Sequence, residues 1–343
     1  MPSLSDFDYI LPPERIAQEG LPQRDRARMM VLAPSVPPVH ASIRDLPDHL
    51  SAGDVVVVND TRVIKARLIG KKDTGRKVDC LIVSGGAVPS EREVLLRGKA
   101  FATGASMEFR SPSGENLSAE VLEWLGGSKY KVRFSRPELI EACAALPLPP
   151  YIKKPLTEQE RYQTVYSRNE GSLAAPTAGL HFTPELMEKL KAKGVKFAFL
   201  TLHVGIGTFA PIRTDVLEEI KLHAEHFSVP EAAAREIDSA VSEGRRIFAV
   251  GTTSVRTLET AMEGGRIAAR EGWTDIFIRP GYEFKTPLAG MLTNFHLPKS
   301  SLLLLTCAFG GRERILEAYR EAVGKEYRFY SLGDAMLILK GTR

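Results

Sequence analysis

The chain has 343 residues, of which 43% are hydrophobic and 26% charged, with a formal net charge of +4. That length exceeds one small domain and suits two, and the composition excludes a disordered or fibrous chain. The net charge permits nucleic-acid binding without requiring it.

No apolar run approaches the roughly 20 residues a membrane-spanning helix needs. The opening Met1-Pro-Ser-Leu-Ser-Asp-Phe-Asp8 lacks the basic-then-apolar order of a signal peptide, so a cytoplasmic location is expected. Cys80, Cys143 and Cys307 lie far apart and form no CxxC pair, which argues against a thiolate zinc site or a dithiol redox motif.

In chain order, Arg24, Arg26 and Arg28 alternate, and on a strand they would share one face. Gly53-Asp-Val-Val-Val-Val-Asn-Asp60 reads as a strand buried on both faces that delivers Asn59 and Asp60 at its carboxyl end. From about 69 to 134, short apolar runs punctuated by Gly, Ser and Pro predict a small all-β barrel or sandwich. A short helix over Pro137–Leu146 and a stiff Pro-rich connector follow. The remainder alternates. A helix begins at Pro184 with Thr183 as its N-cap, then come a strand over 195–202, a helix over 230–242, a strand over 246–250, a helix from Ser254 and a strand over 274–278. Ser301–Phe309 is too short for a membrane and reads as a buried element. This alternation predicts an α/β layered or barrel-like domain built from 1–68 and 135–343, interrupted by the β unit at 69–134.

Four segments put polar groups past the carboxyl ends of strands, where α/β proteins place active sites. They are Asn59-Asp-Thr-Arg62, Thr201-Leu-His-Val-Gly-Ile-Gly-Thr208, Val250-Gly-Thr-Thr-Ser-Val-Arg256 and Leu292-Thr-Asn-Phe-His-Leu-Pro298. The amides of Gly251, Thr252 and Thr253 at a helix start suit a carboxylate or phosphate, with Arg256 one turn on; an ordinary capped βα turn is the plainer reading. His203 precedes Gly205 and Gly207, which allow a ligand close to the backbone; a strand histidine with a purely structural role is the alternative. In His223-Ala-Glu-His226, extended geometry puts His223 and Glu225 on one face as a base with its orienting carboxylate. Helical geometry would instead pair His223 with His226, as in a metal site. The loop Ala175–Thr183 brings Thr177 and His181 towards a substrate, or is a Gly/Pro loop without a role. Lys71, Lys72, Arg76 and Lys77 form a basic run fit for phosphates, or a solvated loop.

Together these residues carry a resemblance. Asp6-Phe-Asp-Tyr-Ile-Leu-Pro12, Val58-Asn-Asp-Thr-Arg-Val63, Pro149-Pro-Tyr-Ile152, Tyr162-Gln-Thr-Val-Tyr166, Ala174–Thr183, Thr201-Leu-His-Val-Gly205, Gly251-Thr-Thr-Ser-Val-Arg256, Thr293-Asn-Phe-His-Leu-Pro298 and Gly333-Asp-Ala-Met336 resemble the S-adenosylmethionine:tRNA ribosyltransferase-isomerase family of queuosine biosynthesis. The match runs nearly end to end and is least specific across the β insertion. It implies a large α/β, barrel-like domain carrying a small β-barrel. It also implies transfer and rearrangement of the ribosyl group of S-adenosylmethionine onto 7-aminomethyl-7-deazaguanine at the wobble position of a tRNA with a GUN anticodon. The products are epoxyqueuosine in tRNA, adenine and methionine. S-adenosylmethionine is then a consumed co-substrate, with no recycled cofactor and no metal expected, and the enzyme a monomer.

The sulfonium acidifies the adjacent ribose C5′ protons, so a base working near neutrality is required, and histidine supplies one. His223 with Glu225 is the expected unit, and His203 the alternative base. Asp60, His181 and His296 are candidates for assisting adenine departure. Asn59, Arg62, Thr177, Gly205, Gly207, Gly251, Thr252, Thr253, Arg256 and Asn294 are expected around the substrate. Arg24, Lys71, Lys72, Arg76 and Lys77 are expected on tRNA, with Tyr9, Tyr151 and Tyr166 as stacking platforms. Two departures stand out. The family often reads His-x-Met-His-x-Glu where this chain has Ile220-Lys-Leu-His-Ala-Glu225, which weakens any histidine-pair or metal reading, and Leu332 replaces a usual aromatic.

Overall fold

The structure is a computed structural model that describes residues 3–85, 88–98, 101–154, 156, 158–205, 207, 212 and 214–341. Ile206 and Thr208 of the second polar segment fall outside them. The chain divides into two compact units, Met1–Arg62 with Pro149–Arg343, and Val63–Leu148.

The larger unit is built on a nine-stranded mixed sheet in the order Arg270–Thr274, Glu225–Val229, Lys196–Leu202, Val55–Asn59, Ile247–Val250, Leu288–Asn294, Ala335–Leu339, Arg28–Leu32, Val39–Ser42. Four consecutive strands, 196–202, 55–59, 247–250 and 288–294, run parallel. The valine run at 55–59 is buried at every position, as a strand covered on both faces requires. One apolar cluster gathers Val55, Val57, Leu200, Ile237, Val255, Leu258 and Leu304, the other Val56, Val58, Leu186, Phe248 and Leu292, so alternate valines feed opposite faces.

Local signals place the helices. Thr183 Oγ1 accepts from Leu186 N at 3.2 Å and starts the helix Pro184–Ala192. Ala233, Ala234, Ile237 and Ala240 bury one face of Glu231–Ser242. Ser300 caps Ser301–Gly310, the buried element expected there. Barrel closure belongs to the smaller unit, whereas the large sheet runs in linear order between two end strands.

Three local expectations are corrected. Arg24–Arg26 is a single 3-10 turn, so the three arginines share no strand face. The strand expected at 274–278 lies at Arg270–Thr274, because its register is set by pairing with Glu225–Val229 rather than by the Ile-Phe-Ile apolar run. The helix expected over Pro137–Leu146 shrinks to a 3-10 turn and Ile140–Cys143.

The smaller unit is a closed six-stranded antiparallel barrel, in the order Lys129–Phe134, Glu91–Arg97, Lys77–Gly85, Arg67–Lys72, Ser106–Arg110, Asn116–Gly126. Leu68, Val78, Cys80, Val94, Leu96, Met107, Phe109, Leu117, Val121 and Val132 fill it. Its limits are wider than 69–134 because Ala66 N and Arg67 N both donate to Ala145 O, so the segment after the last strand returns to the first.

Candidate active site

The four adjacent parallel strands end in the polar segments singled out by sequence. Across the sheet, His203 follows the first, Asn59-Asp60 close the second, Gly251 opens the helix after the third, and Asn294 closes the fourth. A strand's carboxyl end is where the chain turns off the sheet, and open α/β sheets place their ligand crevices there.

Asn59 serves the backbone. Its amide donates to Leu202 O at 2.9 Å and accepts from Leu202 N at 3.0 Å, replacing ladder bonds where two strands part. Asp60 is fully buried and accepts from Thr201 Oγ1 at 2.7 Å, Asn169 Nδ2 at 3.0 Å and Arg168 Nε at 2.6 Å, with Arg168 itself 60% exposed. Thr61 Oγ1 lies 2.7 Å from His203 Nδ1 and fixes that ring. Burial, reinforced by the neighbouring His226, lowers the His203 pKa, with Asp60 opposing. His203 is therefore neutral, with the lone pair a base needs, at neutral pH.

Gly251 has φ +83°, a conformation that favours glycine, and begins a helix whose N-cap residue, Val250, offers no side-chain cap. The helix's first turn borders a cavity lined by Thr177, Gly251, Thr252, Thr253, Asn294 and His296. Thr253 Oγ1 is buried there with no partner among the described residues. Six expected substrate residues thus meet in one cavity. His296 is held by Thr293 Oγ1 at 2.9 Å from Nε2, and burial lowers its pKa to about 3. His181, also buried, sits 3.2 Å from Asn294 Nδ2 through Nε2, and its pKa falls to about 4. Both imidazoles are neutral at neutral pH and act as hydrogen-bonding groups.

A neighbouring cavity, which shares Leu302 with the first, is lined by Gly207, His223, Glu225, Arg256 and Ile276–Ile278. The expected His223–Glu225 unit is revised here. Glu225 is 3% exposed and forms an ion pair with Arg256, which is 5% exposed. Glu225 also accepts from Gly205 N at 2.8 Å. The carboxylate thus anchors a guanidinium and a loop amide. His223 is exposed and packs on Gly207, where an added Cβ would meet its Cδ2 at 2.5 Å. Arg256 thus lines this second cavity, whereas Gly251–Thr253 line the first. Its Nη2 is buried without a partner among the described residues.

A family model described as queuosine biosynthesis protein matches residues 4–338. The chain belongs to that family. A relative from Pelotomaculum thermopropionicum named S-adenosylmethionine:tRNA ribosyltransferase-isomerase is 48% identical, over 98% of this chain and 100% of its own. One of the same name from Thermus thermophilus is 49% identical, over 99% and 100%. A crystal structure of S-adenosylmethionine tRNA ribosyltransferase from Thermotoga maritima matches with a TM-score of 0.57 at 37% identity, covering 98% of this chain and all of that one. This queuosine biosynthesis chain is an enzyme with the ribosyl-transfer and isomerase role of that family.

Other expected contacts of this queuosine enzyme are already engaged. Arg62 forms a two-point pair with Glu160, at 2.9 and 2.7 Å. Arg24 donates to the carbonyls of Gln163, Glu160 and Arg161, at 2.6, 3.3 and 3.1 Å, and so secures that loop. Tyr9 is buried, its hydroxyl on the His296 carbonyl, and Tyr166 packs against Phe182 and Phe199. Tyr151 packs against Tyr330, centroids 4.0 Å apart, and bonds Ser331. Tyr9 is closed off by burial, whereas Tyr151 and Tyr166 are half-buried. Sequence reasoning missed the cluster of Arg168, Asn169 and Thr201 around Asp60. Only the buried charge of Asp60 signalled it, because a buried carboxylate needs partners. Among the described residues, no group of three or more His, Cys, Asp or Glu side chains is placed to hold a metal ion.

Proposed function

We propose that this enzyme transfers the ribosyl group of S-adenosylmethionine onto 7-aminomethyl-7-deazaguanine at the wobble position of a tRNA with a GUN anticodon, rearranging it to the epoxide-bearing cyclopentane ring of epoxyqueuosine. Adenine and methionine leave, and S-adenosylmethionine is consumed rather than recycled. On this reading it works as a monomer in the cytoplasm. The observation that carries the reading is the convergence of four polar segments at the carboxyl ends of four adjacent parallel strands, over two cavities that share Leu302.

The residues divide the chemistry as follows. The amides of Gly251, Thr252 and Thr253, with the unpartnered Thr253 hydroxyl, take the methionine carboxylate, since oriented N–H groups and the helix dipole favour an anion. His223, at the solvent side of the second cavity, removes the C5′ proton and returns it to water. The buried Nη2 of Arg256 binds a substrate oxygen in that cavity and holds the reacting ribose towards His223. His296 and His181, kept neutral by burial, hydrogen-bond without competing for the proton. Asp60, with its three donors, keeps Arg168 and Thr201 in place beside His203.

Incubating the protein with S-adenosylmethionine and precursor-bearing tRNA should release adenine in equal amount to modified tRNA. Adenine release without tRNA, or none with it, would overturn the reading.

Lys71, Arg76 and Lys77 are exposed on one hairpin of the barrel, with Lys71 directly opposite Lys77, while Lys72 Nζ sits 3.5 Å from the Phe101 ring centroid. Like charges opposed across a hairpin are unfavourable unless a counter-charge such as phosphate is present. Replacing Lys71, Lys72, Arg76 and Lys77 with alanine should weaken tRNA binding and reduce the slope of log affinity against log salt by about 0.7–0.9 for each phosphate no longer neutralised. An unchanged slope would mean that these charges serve only solvation.

A further inference from the structure

The sheet's edge strand Arg270–Thr274 carries Trp273, which is 69% exposed. Trp124 is exposed to a similar extent, at 62%, so exposure alone does not single out Trp273; what surrounds it does. Trp273 stands opposite His226 in the strand pairing and meets its ring in a T-shaped contact, centroids 5.5 Å apart. His226 stacks on His203 at 5.8 Å and 18°. His203 is tied to Thr61, the residue after Asp60. Gly171, with φ +144°, lies against the same imidazole, where a Cβ would come within 2.9 Å of Nε2. Three rings therefore run from the open edge of the sheet to the candidate site.

The direction of the strand puts the indole on the right side. Arg270–Thr274 is antiparallel to Glu225–Val229, which is antiparallel to Lys196–Leu202. Trp273, one residue from its strand's carboxyl end, therefore lies at the same end of the sheet as His203. It lines neither of the two cavities of the candidate site. Small ligands take concave sites that enclose most of their surface. A flat exposed ring instead suits a base swung out of a polynucleotide, since every base has a face to stack.

We propose that Trp273, backed by His226, is the platform on which an unstacked nucleotide of the tRNA anticodon loop rests while its neighbour enters the site. The inference rests on the tRNA reading above and deepens it.

The chain has two tryptophans, Trp124 and Trp273. A Trp124→Phe variant makes Trp273 the sole indole fluorophore, and an unmodified anticodon stem-loop RNA with a GUN anticodon is the probe. Stacking should quench the emission in step with binding. Trp273→Ala should weaken affinity for that RNA by roughly 5- to 150-fold, the range for one base–aromatic stack. Trp273→Phe should retain most of the affinity, and KM for S-adenosylmethionine should not move. Unquenched emission at saturating RNA, or quenching by S-adenosylmethionine or adenine alone, would overturn the platform, as would unaltered RNA affinity in Trp273→Ala. Adenine release separates the two ideas. If Trp124→Phe and the parent both release none with precursor-bearing tRNA, the tRNA reading fails. If they release it normally and Trp273→Ala keeps the same kcat/KM for tRNA, only the platform fails.

Discussion

Replacing His223 with alanine should slow adenine release in a single turnover by about 10²–10⁴-fold, the usual contribution of a positioned base. The side chain is exposed and rests on Gly207, so its removal creates no cavity in the core, and the unfolding midpoint should stay at the parent value. Saturating tRNA and S-adenosylmethionine keep binding losses from passing as chemical ones. The competing base is His203, which burial keeps neutral and Thr61 holds by Nδ1. His203→Ala measured alongside decides between them. A near-normal rate for His223→Ala with a collapsed rate for His203→Ala transfers the proton abstraction to His203. Near-normal rates in both would remove histidine from that step.

Glu225→Ala should destabilise the protein by about 3–5 kcal/mol, the cost of stripping one partner from a buried ion pair. Arg256 would remain at 5% exposure without Glu225 beside it and with Nη2 already unpartnered among the described residues, and Gly205 N would lose its acceptor. Urea unfolding reads this directly. Glu225→Gln keeps an acceptor for Gly205 and should cost less. Joint replacement of Glu225 and Arg256 by methionine should recover much of the stability, because apolar residues of similar volume remove the desolvation cost. It should not recover adenine release, because the group facing the cavity is gone. A Glu225→Ala protein within about 0.5 kcal/mol of the parent, the range of ordinary surface changes, would show that the pair is effectively solvated. This result separates an anchoring role for Glu225 from the imidazole-orienting role that local spacing suggests, which predicts a slower rate at unchanged stability.

The sequence by itself determined what depends on periods and short-range signals. The valine run at 55–59, the Thr183 cap and the alternation at 106–110 identify their elements, because burial on two faces, one cap bond and a period of two are local properties. The motifs placed Asn59, Gly251 and Asn294 at strand ends, and those ends are adjacent in the sheet. Partnerships were decided only by the tertiary structure. Glu225 lies two residues from His223, yet its carboxylate reaches Arg256, 31 positions along, because strand 225–229 and helix 251–261 pack together in the folded unit. Arg24 and Arg62 looked free, but carbonyls and a carboxylate far along the chain use them. Trp273 gave no signal, since its exposure depends on strand 270–274 being the sheet's edge, and edge position is set by strand order rather than by any local run. Secondary structure is written in neighbours along the chain, whereas a charge or an exposed ring acquires its role from residues that only folding brings within a few ångströms.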